Sequence, residues 1–273
     1  MKQKMIALLA IVSVFCSVSA QRVNETVTLF GKDQLQGFTI NIDNYSMDVV
    51  DGAMANIFEN QYKLKGSKKK GYHVYENQQC NAFGEARYDI YFTTTEIGKK
   101  NSKSVQVTLV VSTGNMNCIT FTNDPRSSRN ITIFLEKFPK EVEAYDIQLR
   151  INNLENELAK LKKERESLIK DSTKVEEKIA NTNNYLKETT EKLDKISGHI
   201  NDLQEAYNKS QDAALMEEIN QATKEKQNLQ KSQTNSQKSL INLNNDLAKV
   251  NDKLNKNAQA IEKAENELKT LKN

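Results

Sequence analysis

At 273 residues the chain is long enough for one large domain or two smaller ones, and its formal net charge of +3 is small for that length. Composition changes near Tyr145: every Phe and both prolines precede it, and Gly198 is the only glycine after it. From Asp146 onward, 22 basic residues balance 22 acidic ones, so this part offers no surface of one sign to a phosphate backbone. We therefore expect two domains and no nucleic-acid partner.

Residues 1–20 have the pattern of an export signal: a basic start MKQK, an apolar run MIALLAIVSVFCSV, and small residues SVSA before Gln21. The run is shorter than the ~20 residues that a spanning helix needs. Cys16 follows the bulky Phe15, which does not suit a lipobox. We predict a cleaved signal peptide and an exported protein, periplasmic or extracellular, without a transmembrane span.

Export leaves Cys80 and Cys118 as the cysteines of the mature chain, in a compartment where disulfides persist. The two could form a bridge or remain separate buried thiols at strand ends, and the sequence leaves both arrangements open. Together with the distant His73 and His199 they do not have the spacing of a zinc site, so we expect no metal and no cofactor.

The part that follows the signal has the pattern of a small α+β domain, residues 21–140. Apolar and polar residues alternate over 22–30 and 37–43, which predicts two strands around a Gly31 turn. Apolar residues recur at helical spacing over 46–65, which predicts an amphipathic helix capped by Asn44 or Ser46.

Three or four more strands and a helix are predicted after this first helix. Short hairpin-like loops separate these strands, so neighbours should pair antiparallel. A helix capped by Ser127 or Ser128 then ends at Phe138, and Pro139 suits the first turn of another helix. The strands are predicted at 71–77, 86–96, 104–113 and 117–123, and the helix at 127–138.

This order of elements, with the segments GYHVYEN, YDIYF and VTLVVSTG, resembles the small helix-on-sheet domains of uncharacterised secreted bacterial envelope proteins. Their topology is similar to the helix-grip or TATA-binding-protein-like group. The resemblance covers the first half of the chain. It implies an envelope protein, and it assigns no catalytic, cofactor-binding or metal-binding residue here.

Two features of this domain are candidates for a chemical or binding role. A cysteine nucleophile paired as His73 and Cys80 is disfavoured, because residues seven apart on one strand point to opposite faces. The basic run KLKGSKKKGY, residues 63–72, could touch an anionic lipid, glycan or nucleic acid. The interpretation that we favour is a solvated loop between helix and strand.

Residues 141–273 have the apolar spacing of a coiled coil, but the spacing loses phase over Ala206–Glu218. One architecture is a long parallel dimer with a local fault. The other, which the sequence favours, is an antiparallel hairpin with its turn near residues 208–213, where Asn208, Ser210 and Asp212 supply turn and cap chemistry. The first seam is predicted at Ile151, Leu154, Leu158, Leu161, Leu168, Val175, Ile179, Leu186, Leu193, Ile196, Ile200, Leu203 and Tyr207. The second is predicted at Ile219, Ala222, Leu229, Leu240, Leu243, Leu247, Val250, Leu254, Ile261, Ala264, Leu268 and Leu271.

A hairpin folded about Gln211 also predicts a register, in which the numbers of facing residues add up to about 422. Leu161 then faces Ile261 and Ile200 faces Ala222. Polar residues interrupting the two seams partly coincide, since Arg165 meets Asn257 and Thr189 meets Gln233. Other interruptions do not, since Ser172 faces Val250 and Thr182 faces Leu240.

The sequence as a whole favours a non-enzymatic envelope scaffold or interaction protein, whose coiled-coil arm is a spacer or binds a partner. The partners expected are proteins, bound through the arm or the sheet domain, and the chain itself is a candidate for homo-oligomer formation. The alternative is a ligand-binding or enzymatic α+β module that the coiled coil oligomerises. A polar cluster and a sizeable pocket between sheet and helix would favour the alternative, and a closed apolar core would favour the scaffold.

Overall fold

The structure is a computed structural model that describes residues 22–99 and 102–273. The predicted signal peptide, residues 1–20, lies outside the described residues. A six-stranded antiparallel sheet is followed by two long helices, so the predicted α+β class with a helical arm is confirmed. The strands are β1 (Asn24–Phe30), β2 (Asp33–Asp43), β3 (Ser67–Lys69), β4 (Tyr72–Gln79), β5 (Arg87–Lys99) and β6 (Ser102–Ser112). The helices are α1 (Met47–Asn56), continued by a π-helix (Ile57–Gln61), α2 (Pro125–Ser210) and α3 (Ala213–Lys272).

The contacts divide the chain into two compact units, one up to Arg150 and one from Ile151 onward. We call them the sheet domain and the arm. The domain division expected from the sequence lies ten residues earlier, at 140/141. Val142 is fully buried in the core of the sheet domain and Tyr145 packs against that core, so these two helical residues complete the sheet domain.

The main core of the sheet domain lies between one sheet face and the helices. Strand residues alternate between the two faces, so Ile90 and Phe92 of β5 face the helices whereas Tyr91 faces away. The strands follow the order β1-β2-β6-β5-β4-β3. The largest side chains of this core are Phe38, Phe58, Tyr75, Phe83, Phe92 and Phe138, each less than 2 % exposed.

The opposite face of the sheet carries a smaller core, because the tip of the β1–β2 hairpin curls over it. Phe30 packs on the rings of Tyr72 and Tyr91, at centroid distances of 5.6 and 5.1 Å. Since three strands separate β1 from β4, this contact requires a strongly curved sheet. Gly37 permits the curvature, because a Cβ at that position would lie 2.6 Å from the carbonyl oxygen of Leu109.

Two predicted elements of the sheet domain are wrong. Residues 117–123 form no strand, and only an isolated bridge joins Ser112 to Cys118. The side chains of Thr120 and Asn123 each accept a hydrogen bond from the backbone N–H of the other residue, and such local bonds compete with a sheet ladder. The sixth strand is instead β3, which lies inside the basic run that was expected to be a loop. A Lys70–Gly71 turn with two positive φ angles joins β3 to β4, as type I′ hairpins require.

The predicted break at Pro139 is also wrong, because α2 passes through this residue without interruption. Proline removes one helical hydrogen bond. Phe138 and Val142, on either side of it, are both buried in the core, and their packing holds the helix there. The predicted capping by Ser127 or Ser128 fails as well: Asp124 Oδ1 accepts the Ser127 N–H at 3.0 Å, with Pro125 in the first turn.

At the first helix the capping prediction holds for one of its two candidates. Ser46 Oγ accepts a hydrogen bond from the Val49 N–H at 3.4 Å, so Ser46 is the cap of α1. Asn44 instead lies in the preceding turn with a positive φ of 68°.

The arm consists of the part of α2 from Ile151 together with α3. Gln211 adopts a left-handed φ of 57° between the two helices, and Asp212 caps α3 by accepting the Ala214 N–H at 2.9 Å. Every apolar residue that was assigned to the two seams is buried or half-buried. The loss of phase over Ala206–Glu218 therefore marks the turn of an antiparallel hairpin.

Candidate functional site

Polar contacts between the two helices fix the register of the arm. Glu155 binds Lys272 and Lys162 binds Glu265, at 2.7 and 3.0 Å. Closer to the turn, the Gln233 amide donates to Thr190 Oγ1 at 3.0 Å. With Asn257–Leu161, Asn257–Glu164 and Tyr185–Ser232, the residue numbers of the contacting pairs add up to between 417 and 427. These values bracket the predicted 422.

Asn257 is the polar residue that specifies this register most directly. It is 6 % exposed, and its Nδ2 donates to the Leu161 carbonyl at 3.0 Å and to Glu164 Oε2 at 3.3 Å. Sliding the helices by a heptad would place this amide against apolar side chains without those acceptors. The predicted neighbour, Arg165, is adjacent in sequence to the observed one, Glu164. Gln233 likewise contacts Thr190, which is one residue away from its predicted partner, Thr189.

His73 lies in a polar network at the edge of the main core. Its Nε2 is 2.9 Å from Asp51 Oδ2, and its ring stacks on Phe92 at a centroid distance of 4.3 Å. Asp51 also accepts from Thr94 Oγ1 at 3.1 Å and lies 3.7 Å from Lys68 Nζ. The network anchors α1, which carries Asp51, to strands β4 and β5.

Cys80 lies in the main core, away from this network. Its side chain is fully buried, and burial raises the pKa of the thiol to about 11. A β-bulge in β4 between Tyr75 and Gln78, where Asn77 has a φ of 52°, turns Cys80 toward the helices. The strict alternation assumed from the sequence therefore fails at this residue, although the His73–Cys80 pair is still not assembled.

The two cysteines of the described chain are free thiols. Cys118 belongs to the small outer core, on the other side of the sheet from Cys80. Burial raises its pKa too, and its Sγ lies 3.4 Å from the carbonyl oxygen of Met116. Of the two arrangements that the sequence left open, the structure has the separate thiols.

Three of the five lysines of the basic run are paired with carboxylates of the sheet domain. Lys69 binds Glu76 at 2.8 Å, and Lys70 lies 3.9 Å from Asp33 and 4.4 Å above the Phe30 ring. Lys68 is the third, beside Asp51. Exposed pairs of this kind add little stability, but they offset part of the positive charge that a polyanion would need.

One cleft lies between the π-helix and the first turns of α2. It has a volume of ≈ 200 Å³, with Phe134 and Ala82 among its apolar lining and Lys137 and Glu141 among its polar lining. Gln61 of the π-helix donates to Glu141 Oε2 at 3.3 Å. π-Helical turns occur frequently at functional sites, so this cleft is the candidate small-molecule site of the sheet domain.

Comparison with known proteins gives no match for this chain: no family model, no curated protein and no solved structure is similar to it. Within residues 22–99 and 102–273, no group of three or more His, Cys, Asp or Glu side chains is arranged to hold a metal ion. In the same ranges no helix combines the length and the apolar character needed to cross a bilayer.

Sequence reasoning missed the Asp51–His73 pair and the cleft. Asp51 lies on the polar side of an amphipathic helix, where an acidic residue is unremarkable, and 22 residues separate it from His73. The cleft depends on the π-helix, which has no compositional signature. Only the paired antiparallel strands and the position of α1 over β5 bring these groups together.

Proposed function

We propose that the protein is a non-enzymatic exported scaffold or interaction protein of the cell envelope, acting in the periplasm or outside the cell. Its arm acts as a spacer or as a partner-binding element, and the sheet domain is the second candidate binding unit. The observation that carries this proposal is the closed helical hairpin of the arm, in which each helix covers the seam of the other.

A closed hairpin favours a mechanical role because its two apolar seams pack on each other within one chain. The 60 residues of α3 correspond to a rod of about 90 Å at ~1.5 Å per residue. Most exposed side chains of this rod are polar, with Ile169 and Ile241 among the apolar exceptions, and its basic and acidic residues are equal in number. A rod of this kind separates what is attached at its two ends, or it offers a long side surface to a partner.

The core of the sheet domain also supports a binding role over a catalytic one. Aromatic and branched side chains fill the space between the sheet and the helices. Drug-sized ligands occupy pockets of roughly 300–1,000 Å³. The cleft at the π-helix, at ≈ 200 Å³, is below this range, whereas a mostly polar cleft of ≈ 390 Å³ at the start of α2, lined by Tyr88, Asp124 and Arg126 among others, lies within it and favours the alternative below. The thiol of Cys80 is buried and protonated at neutral pH, which disfavours a nucleophilic role.

The alternative is a ligand-binding or enzymatic module built on the sheet domain. The specific observations that favour it are the cleft beside the π-helix and the Asp51–His73 pair, an arrangement that orients a histidine in many acid–base catalysts. In this chain, however, Phe92 covers one face of the imidazole, and Asp51 also binds Thr94 and Lys68. Those contacts are explained by the packing of α1 on the sheet.

A pull-down distinguishes the two proposed functions. Each half of the chain, residues 22–150 or 151–273, is used as bait and incubated with envelope extract of the source cells. A scaffold should retain a specific protein on one half, and the excess soluble full chain should compete for it. In parallel, Asp51→Asn and His73→Gln variants are screened against small hydrolysable substrates. Turnover by the parent protein that both variants lose, with unchanged thermal unfolding, would overturn the scaffold proposal.

A further inference from the structure

The two edges of the sheet differ in how they are protected from pairing with another strand. The β3 edge is three residues long and carries Lys68 and Lys69, which is the usual protection of an exposed edge. The β1 edge is seven residues long, pairs with β2 in an unbroken register, and has no lysine, proline or bulge. Among the described residues, β1 pairs with β2 alone. Its outer edge therefore presents backbone N–H and C=O groups to solvent.

An apolar surface lies beside this open edge. Val27 and Leu29 share one face of β1 and are 59 % and 61 % exposed. Met116 is 49 % exposed and lines a groove of ≈ 280 Å³ together with Val27. Phe121, 44 % exposed, has its backbone N–H bonded to the Glu25 carboxylate on the same face of the strand. Exposed apolar side chains gathered in one place mark interaction surfaces.

We propose that this edge binds a second copy of the chain, with β1 pairing antiparallel to β1 across a two-fold axis. The proposal rests on the binding role proposed above and names the partner of the sheet domain. An isologous contact requires a surface that is complementary to itself, and the sequence of β1 has this property. In the pairing proposed, Val27 of each copy lies opposite Leu29 of the other.

Backbone geometry is compatible with this register. Phe30 and Asp33 flank the two-residue Gly31–Lys32 turn and so form a hydrogen-bonded pair of the hairpin. The backbone groups of alternate residues, which include Val27 and Leu29, then point to the open edge. Both pairs of Val27 with Leu29 across the axis can exchange main-chain hydrogen bonds, and their side chains share one face.

Charge complementarity favours a second copy over an unrelated extended peptide. In this register Glu25 lies opposite Gly31 of the second copy, adjacent to its exposed Lys32. Opposite charges therefore meet at both ends of the paired strands, and no like charges face one another.

Sedimentation equilibrium of the exported chain, residues 21–273, tests the proposal. The parent chain should form a dimer. A Val27→Lys, Leu29→Lys variant should raise the dimer dissociation constant at least roughly tenfold, because each lysine is placed at the strand edge. The matched control is Met47→Lys, Ile133→Lys, which charges two exposed apolar residues elsewhere in the sheet domain and should leave the dimer unchanged. Equal thermal unfolding of the three proteins shows that each is folded.

The register is tested by single cysteines at the same positions. Oxidising a mixture of Val27→Cys and Leu29→Cys chains should give a mixed disulfide dimer, in preference to linking either variant to itself. A parent chain that remains monomeric at its highest soluble concentration, or a dimer that survives both lysines, would overturn the proposal. Binding of an unrelated extended peptide to this edge of a monomeric parent chain would also overturn the proposal, because the edge would then belong to another protein.

Discussion

The sheet domain and the arm bury their apolar residues to different depths. Six aromatic side chains of the sheet domain are less than 2 % exposed, whereas most seam residues of the arm are only half-buried, because a pair of helices cannot enclose its own seam. Stability in the sheet domain is therefore concentrated in a few aromatic contacts. In the arm it is spread along the length of two helices, and polar residues such as Asn257 specify the register. One substitution can therefore unfold the sheet domain, whereas in the arm it only lowers the stability.

The largest expected effect is that of removing Phe58. Its ring centroid lies 5.2–6.3 Å from the ring centroids of four other aromatic residues, Tyr75, Phe83, Phe92 and Phe134. Phe58→Ala should lower the free energy of unfolding by about 3–5 kcal/mol, as expected for a fully buried aromatic residue. Chemical denaturation of the isolated sheet domain, residues 22–150, gives this value.

Leu193→Ala is the matched substitution in the arm, where the side chain is half-buried. We expect it to cost about 1–2 kcal/mol, measured in the arm fragment 151–273. Equal losses at Phe58 and Leu193 would contradict the contrast between a concentrated and a distributed core.

The next effect concerns where the sheet domain ends. A fragment of residues 22–140 lacks Val142, which is fully buried, and Tyr145, which packs on the same core. It should be less stable than the fragment 22–150 by about 2–4 kcal/mol, from the apolar surface that these two residues cover. Urea titration of both fragments measures the difference. Identical midpoints would show that the sheet domain is complete at Lys140.

A smaller effect should appear in the pH dependence of stability. The pKa of Cys80 is raised from 9.0 to about 11 by burial, so the folded state keeps the thiol protonated when the unfolded state has lost its proton. The stabilisation is complete below pH 9 and is lost as the pH rises toward 11. Between pH 8 and 10 the parent sheet domain should lose about 1 kcal/mol more than the Cys80→Ala variant. Parallel pH profiles of the two proteins would contradict the buried, neutral thiol.

The smallest effect is expected at the turn of the arm. Gln211 has a left-handed φ of 57°, which costs a non-glycine residue roughly 1–2 kcal/mol. Gln211→Gly should remove most of this cost and stabilise the arm by about 0.5–1 kcal/mol, after the greater freedom of glycine in the unfolded chain is subtracted. Thermal unfolding of the arm measures it, with Ser210→Gly as the control inside the helix. A Gln211→Gly arm that is less stable than the parent would contradict the left-handed conformation of Gln211 at the turn.

The arm was more predictable from the sequence than the sheet domain. Its seams depend on helical periodicity, and the numbers of Leu161 and Asn257 were enough to place them near each other, within one turn of helix. The sheet domain departs from periodicity where side chains bond their own backbone, as Thr120 and Asn123 do, or where a bulge shifts the alternation before Cys80. Contacts between distant segments, such as Asp51 with His73, have no local signal at all.

The central claim is that the arm is an intramolecular antiparallel hairpin in one register. Leu161 accepts a hydrogen bond from Asn257, and its neighbour Lys162 binds Glu265, so Ile261 lies between these two contacts. The decisive measurement is oxidation of a Leu161→Cys, Ile261→Cys variant at low concentration, in a Cys80→Ser, Cys118→Ser background. The account predicts a disulfide within one chain, seen as a monomer of altered mobility on a denaturing gel. Chains linked to one another, or chains without a disulfide, would contradict it.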